Sequence, residues 1–273
     1  MHFIGLDLAW GLKNQSGIAV LDAEGALVGL GVGHDDDHLV TTLRPSVADE
    51  CVVAVDAPLI VHNATGRRRA EAELSADFGP FDAGAYPANT TLPVFAAGSR
   101  GARIADALGL EITPCAKPRR AIEVYPHSAT ISLFRLGRTL KYKAGRGRSV
   151  EDRKTALLRL MALIVGLGDA TPPLRVSCSP GWPDLRDAVG AATRPFQLDR
   201  AEDPIDAVIC GYVAMYAHRR PDDVVTYGDV DTGFIVTPAL PPDLEPTPRA
   251  SSPDVNVLRE SRPDLAAAAR SRS

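Results

Sequence analysis

The strongest constraint on this chain is a carboxylate placed where a strand should be apolar. Asp7 lies inside the run Ile4-Gly5-Leu6-Asp7-Leu8-Ala9-Trp10, and burying a carboxylate is costly unless it is hydrogen-bonded, paired or bound to a cation. Asp56 repeats the situation after Cys51-Val52-Val53-Ala54-Val55, and Glu123 stands in Ile122-Glu123-Val124-Tyr125. The carboxyl ends of strands in α/β sheets are where ligands bind. Three acids in such runs therefore ask for a common explanation.

The surrounding pattern is α/β. Apolar runs over 2–9, 17–22 and 27–33, separated by short polar turns, predict a three-stranded antiparallel meander. A helix over 37–43 and a buried strand over 51–56 follow. Residues 57–118 are interrupted by six prolines, from Pro58 to Pro118, and read as a large insertion after the fourth strand, with helices over 66–76 and 99–108. A strand over 121–125 precedes helical patterns over 127–136, 149–167, 182–192 and 204–219, and the runs 224–227 and 233–237 are expected to return to the sheet. Residues 238–273 hold seven prolines and few large apolar side chains, which predicts a disordered tail suited to recruiting a protein partner. The expected organisation is one domain over 1–237 plus this tail.

Composition excludes several classes. With 273 residues, 45% hydrophobic and 23% charged, fibrous and wholly disordered readings are out. No run reaches the roughly 18 to 20 apolar residues of a membrane span. The start, MHFIGLDLAW, reads as a strand and not as a signal peptide, giving the expectation of a cytoplasmic protein. Cys51, Cys115, Cys178 and Cys210 lack CxxC spacing, so they are expected as reduced, mostly buried thiols and not as a zinc site. A net charge of −4 argues against coating nucleic acid through bulk charge.

A fourth acidic element, Asp203-Pro204-Ile205-Asp206-Ala207, is read as opening the helix that runs to about residue 219, with Asp203 as N-cap and Pro204 in the first turn. Ala207, Cys210, Gly211 and Ala214 form a stripe of small residues that would let this helix sit close on a sheet and bring Asp206, with Asp203, toward the strand acids. Carboxylates gathered at one point repel unless cations neutralise them. Hard oxygen donors favour Mg²⁺ or Mn²⁺ over zinc. Two such ions about 3.5 to 4 Å apart form the clamp used in phosphodiester hydrolysis. Residues 135–154 carry eight basic side chains against Glu151 and Asp152, a local patch suited to phosphates.

Taken in order, GLDLAW, SGIAVLD, VAVDAPL, GRRRAEAEL, IEVYPH and DPIDAV resemble the domain-of-unknown-function family numbered 429, described as predicted nucleases with a ribonuclease H-like fold, over roughly residues 2–237. The resemblance implies a mixed five-stranded sheet with the first three strands antiparallel and helices on both faces. It implies that Asp7, Asp56 and Asp206 hold two Mg²⁺ or Mn²⁺ ions and activate water, with Glu123 or Asp203 as a further ligand. It also implies that Arg68 reaches a phosphate or braces Asp56 and that Lys143 meets a phosphate of a nucleic-acid substrate, with Arg146 and Arg148 of the basic patch as further candidates. His127 is a candidate proton shuttle, Trp10 and Tyr125 are candidates for stacking on bases, and a homodimer would suit the paired active sites common among structure-specific nucleases of this fold.

Two other readings remain open at this point. Actin-like and sugar-kinase ATPases share a related core and an Asp on the first strand, but residues 12–16, between Gly11 and Gly17, make no convincing phosphate cradle. Alternatively the acids are structural and the protein is a non-catalytic nucleic-acid or protein binding module.

Overall fold

The computed structural model describes residues 1–11 and 14–248. Three antiparallel strands come first: β1 (His2–Asp7), β2 (Ser16–Leu21) and β3 (Leu27–Gly33). After α1 (Asp36–Leu43), β4 (Cys51–Val55) pairs parallel to β1. Then come α2 (Arg69–Phe78), α3 (Arg100–Ala107), β5 (Glu111–Ile112) and β6 (Arg119–Glu123), the last pairing parallel to β4. The main sheet has six strands in the order β3-β2-β1-β4-β6-β5. The additional edge strand, β5, is two residues long, too short for any alternation to announce it.

Helices α4 (Pro126–Phe134), α5 (Val150–Gly166), α6 (Gly181–Ala191) and α7 (Pro195–Arg219) follow, and β7 (Val224–Asp229) with β8 (Gly233–Pro238) closes the ordered elements. These last strands do not join the main sheet as expected. They form their own two-stranded hairpin, touching the sheet through the single bridge Val124–Val236. The cause is an apolar surface elsewhere: Tyr227 and Ile235 pack with Ala70, Leu74 and Phe78 of α2, so the hairpin covers the insertion.

Side chains alternate between the two faces of the sheet, the period of two that any strand imposes. Phe3, Val52, Ala54 and Ile122 pack with residues of α5, α6 and α7, whereas Ile4, Leu6, Val53, Val55 and Ala121 pack with residues of α1 and α3. This parity decides which acids can meet. Asp7 shares a face with Phe3, and Asp56 with Val52 and Ala54. Glu123, in step with Ala121, belongs to the opposite face.

Helix α7 lies directly on β1 and β2. A Cβ at Gly5 would overlap the Ala207 carbonyl and the Gly211 nitrogen, and one at Gly17 would overlap the Asp203 carbonyl. The small-residue stripe thus does what its spacing suggested, and the glycines on the strands complete it. The start of this helix is a correction. It opens at Pro195, capped through Gln197 Oε1, which accepts from the Thr193 and Arg194 N–H groups at 2.9 Å each. Asp203 is therefore not a cap, and Pro204 lies inside the helix. A proline there leaves the carbonyl four residues earlier without its donor. That carbonyl, of Arg200, takes the Gln15 side-chain amide at 3.0 Å instead.

The early part of the expected tail is packed: Thr247 N–H donates to Gly137 O at 2.9 Å, and Arg135 pairs with Asp243 at 2.6 Å. Residues 249–273 of that expectation lie outside the described residues. Cys51 and Cys210 are buried, but Cys115 and Cys178 are exposed, so burial covers only half of the thiols. No helix among the described residues is long and apolar enough to cross a membrane.

Candidate active site at the carboxyl ends of β1 and β4

Asp7 ends β1, and Asp56 follows β4, its N–H donating to Leu6 O at 2.8 Å, so the two acids stand side by side on adjacent parallel strands. Asp203 and Asp206 approach from α7, on the same face of the sheet. Into this group comes Lys143, from the loop between α4 and α5, with Nζ 2.7 Å from Asp206 Oδ2 and 3.9 Å from Asp7 Oδ2. Asp206 is fully buried, and its Oδ1 accepts a hydrogen bond from the Tyr142 hydroxyl at 2.8 Å. Tyr142 is itself buried and was not singled out by sequence. Its only signal was its place beside Lys143.

The electrostatics follow from crowding. Burial pushes the Asp7 carboxyl well above the usual range; Lys143 opposes this, while Asp56, Asp206 and Asp203 add to it. Asp56 is pushed up to about 7 by burial, against the pull of Lys143 and with the repulsion of Asp206. On the rim, burial raises Glu202 to about 7 and Asp203 to about 6. Burial works against the charge of Lys143, yet Asp206, Asp7 and Asp56 outweigh it and hold the ammonium protonated.

A stability prediction comes directly from these shifts. Asp56, Asp203 and Glu202 keep protons in the folded state that the unfolded chain releases above about pH 4. The folded state therefore binds more protons between about pH 4 and 7, and stability falls with rising pH there, by up to roughly 1.4 kcal/mol per pH unit for each proton held. His127, held down to about 4, works the other way between about pH 4 and 6.5, but one imidazole does not offset three acids; the downward shifts of Glu73, Asp152, Asp229 and Asp243 act below that window. The metal-free protein, melted in EDTA, should unfold at a higher temperature at pH 5 than at pH 8. The reverse order would mean that the cluster is not desolvated as described.

Glu123 lies on the other face of the sheet by alternation, yet it lines one small cavity with Asp56 and its charge adds to the upward push on that acid. Its oxygens accept from Arg68 Nη1 at 2.9 Å, Arg68 Nη2 at 2.5 Å and the Leu59 N–H at 2.9 Å. Arg68 also bonds Glu71 through Nε at 2.7 Å, and Glu71 accepts from the Arg68 and Ala88 N–H groups. Glu123 thus has its oxygens on Arg68 and Leu59, the arrangement of a residue behind the ligands, and Arg68, 3% exposed, is held between two glutamates. Glu71, the third member of this clamp, had no signal in the sequence beyond ordinary helix charge.

The basic segment is likewise largely committed within the molecule. Arg135 pairs with Asp243, Arg138 and Lys141 with Asp82, Arg153 with Asp199 and Glu202, and Lys154 with Glu151. Arg148 donates to the Lys143 carbonyl at 2.6 Å. Arg146 is exposed and makes no ion pair among the described residues. His127 is half-buried between Tyr125 and Tyr142, with a ring nitrogen 3.2 Å from the Thr139 hydroxyl; burial and then Lys143 push it down to about 4. Trp10 packs on Phe95, and the Tyr125 hydroxyl reaches Gly84 O.

Two further features shape the site. Arg100, buried in α3, binds Asp36 and the carbonyls of Ala9 and Gly11, which anchors the chain leaving Asp7. An open cleft of about 980 Å³, lined by Asp7, Gln15, Phe196, Asp199, Glu202 and Asp203, leads to the acids. For a divalent cation the donor chemistry fits, because Asp7 Oδ2 is buried without a hydrogen-bond partner and its neighbours are hard carboxylate oxygens. Among the described residues, however, no group of three or more His, Cys, Asp or Glu side chains is arranged to hold a metal ion.

Residues 5–232 match the family model described as "Protein of unknown function (DUF429)". No curated protein and no solved structure matches the chain.

Proposed function

The chain belongs to the DUF429 family over residues 5–232, and from its site we propose that it is a divalent-metal-dependent phosphodiesterase, a nuclease in its substrate class, built on a ribonuclease H-like sheet. The observation that carries this reading is the gathering of Asp7, Asp56 and Asp206 at the carboxyl ends of two parallel strands around the Lys143 ammonium, which pairs with Asp206 and lies 3.9 Å from Asp7. The order β3-β2-β1-β4-β6, with antiparallel β1 to β3 and parallel β4 and β6, supports the fold assignment. Residues 1–237 then make one domain in which 57–118 is an insertion.

Asp7 and Asp56 are the side chains that would hold the ion. Mg²⁺ is commonly bound through one or two carboxylates with waters and substrate phosphates completing its shell, so a two-carboxylate site suffices. When bound, such an ion supplies positive charge to the phosphoryl group under attack by water. The residues of the chain do the rest. Lys143 presents an ammonium to a phosphate oxygen beside Asp7. Asp206 and Tyr142 hold that ammonium in place. Because the basic segment is mostly paired internally, phosphate contacts are local, which suits a strand end or a short single strand better than a long duplex footprint.

The test is a pair of measurements on the wild type. Melting in Mg²⁺, Mn²⁺ or EDTA should show stabilisation by both metals, by mass action on the folded state. A fluorescent single-stranded oligonucleotide should be cut only when metal is present. Neither a shift nor cleavage, across DNA and RNA probes, would instead favour a non-catalytic binding module with structural acids.

A further inference from the structure

We infer that Lys143 occupies the second cation position of the carboxylate cluster, so that the chain takes one divalent ion where the clustered acids suggest two; this rests on the metal-dependent reading above. Asp206 has both oxygens engaged. Tyr142 donates to Oδ1 and Lys143 Nζ lies 2.7 Å from Oδ2. With the ammonium 2.7 Å from Oδ2, a divalent ion on that oxygen would meet a positive charge already in place. Asp206 Oδ2 and Asp7 Oδ2 are both buried without a hydrogen bond, but the lysine stands 2.7 Å from the first and 3.9 Å from the second, which leaves Asp7 the more open donor, with Asp56 beside it on the neighbouring strand. The free donors are therefore two, on neighbouring strands, and the fixed cation is one.

The lysine is not a wandering surface charge. Its side chain is 33% exposed, but the loop that carries it is pinned on both sides of the Tyr142–Lys143 peptide. Arg153 Nε donates to Tyr142 O at 2.8 Å, and Arg148 Nη1 donates to Lys143 O at 2.6 Å. Tyr142, 1% exposed, is locked into the core with its hydroxyl on Asp206. These contacts fix where the lysine side chain starts, and the 2.7 Å ion pair with Asp206 holds its ammonium over the site. An ammonium so held neutralises Asp206 permanently and faces the site as a second ion would, as a point charge for a phosphate oxygen.

The experiment counts ions. The full chain is titrated with Mn²⁺ while the electron paramagnetic resonance signal of free Mn²⁺ is followed, for wild type, Lys143→Met and Lys143→Arg. Wild type and Lys143→Arg should each bind one Mn²⁺, and Lys143→Met should bind two, because Asp206 is released to join Asp7. Two ions in wild type would overturn the inference, since the lysine would then be displaced on loading. So would a count of one in folded Lys143→Met, checked by circular dichroism. Should Lys143→Met fail to fold, the wild-type and Lys143→Arg counts decide alone, two in either being fatal. No binding by wild type would remove the metal-dependent reading itself and this inference with it, a result distinct from a count of two.

Discussion

Replacing Asp7 with Asn should lower metal-dependent phosphodiester cleavage by about three orders of magnitude, the scale of losing one preorganised electrostatic group, while raising the melting temperature of the metal-free protein. The two effects have one cause. Asp7 is 9% exposed, its Oδ2 has no hydrogen bond, and Asp56, Asp206 and Asp203 all repel its charge. The opposing term is the attraction of Lys143, but that ammonium sits 3.9 Å from Asp7 and 2.7 Å from Asp206, so its main partner survives the change. Relief of burial and repulsion should win at pH 8. Each kcal/mol gained would raise the melting temperature by about 2–4 °C for a chain of this size. The stabilisation should vanish below about pH 3, where the wild-type carboxyl is protonated in both states. Cleavage at the wild-type rate by purified Asp7→Asn would remove Asp7 from the chemistry, and a lower melting temperature at pH 8 would mean that its charge is compensated.

Arg68→Ala should be the most damaging single change to the fold. It strips the shared cation from Glu71 and Glu123, both within 3% of complete burial. Breaking a buried pair by removing one partner typically costs about 3–5 kcal/mol because an uncompensated charge is left behind. On this chain that corresponds to a fall in melting temperature on the order of 10 °C. The partial rescue is informative: Glu123→Gln added to Arg68→Ala removes one of the stranded charges and should recover part of the loss. If Arg68 instead served a phosphate, Arg68→Ala would leave the melting curve nearly unchanged and weaken substrate binding alone. Thermal melts of the two variants beside wild type separate these outcomes.

Much of this architecture was legible in the order of residues. Unbroken apolar runs marked β1 and β4 as strands covered on both faces, and polar turns between the first three runs specified the meander. Period two also carried more than was drawn from it. Asp7 is in step with Phe3, Asp56 with Ala54, and Glu123 with Ala121, so the pairing of Glu123 with Arg68 and not with Lys143 follows from alternation once the faces are known. The length of α7 was less accessible, because Pro204 resembles a helix start in sequence. Only a residue about 190 positions away, Gln15, explains how a proline sits comfortably inside it. The basic segment misled for the same reason: charge is visible in a sequence, but its partners Asp82, Asp199, Glu202 and Asp243 are distant along the chain.

What the sequence determined by itself was therefore the local part: which runs are strands, which helix carries small residues for close packing, and which acids stand at strand ends, since each depends on neighbours within a few positions. What only the tertiary structure decided was how each charge is neutralised. Arg68 went to Glu71 and Glu123, and Lys143 went to Asp206 and Asp7, because the stability of a buried charge depends on which opposite charge lies within a few ångströms of it, and that distance is set by packing between segments far apart in the chain.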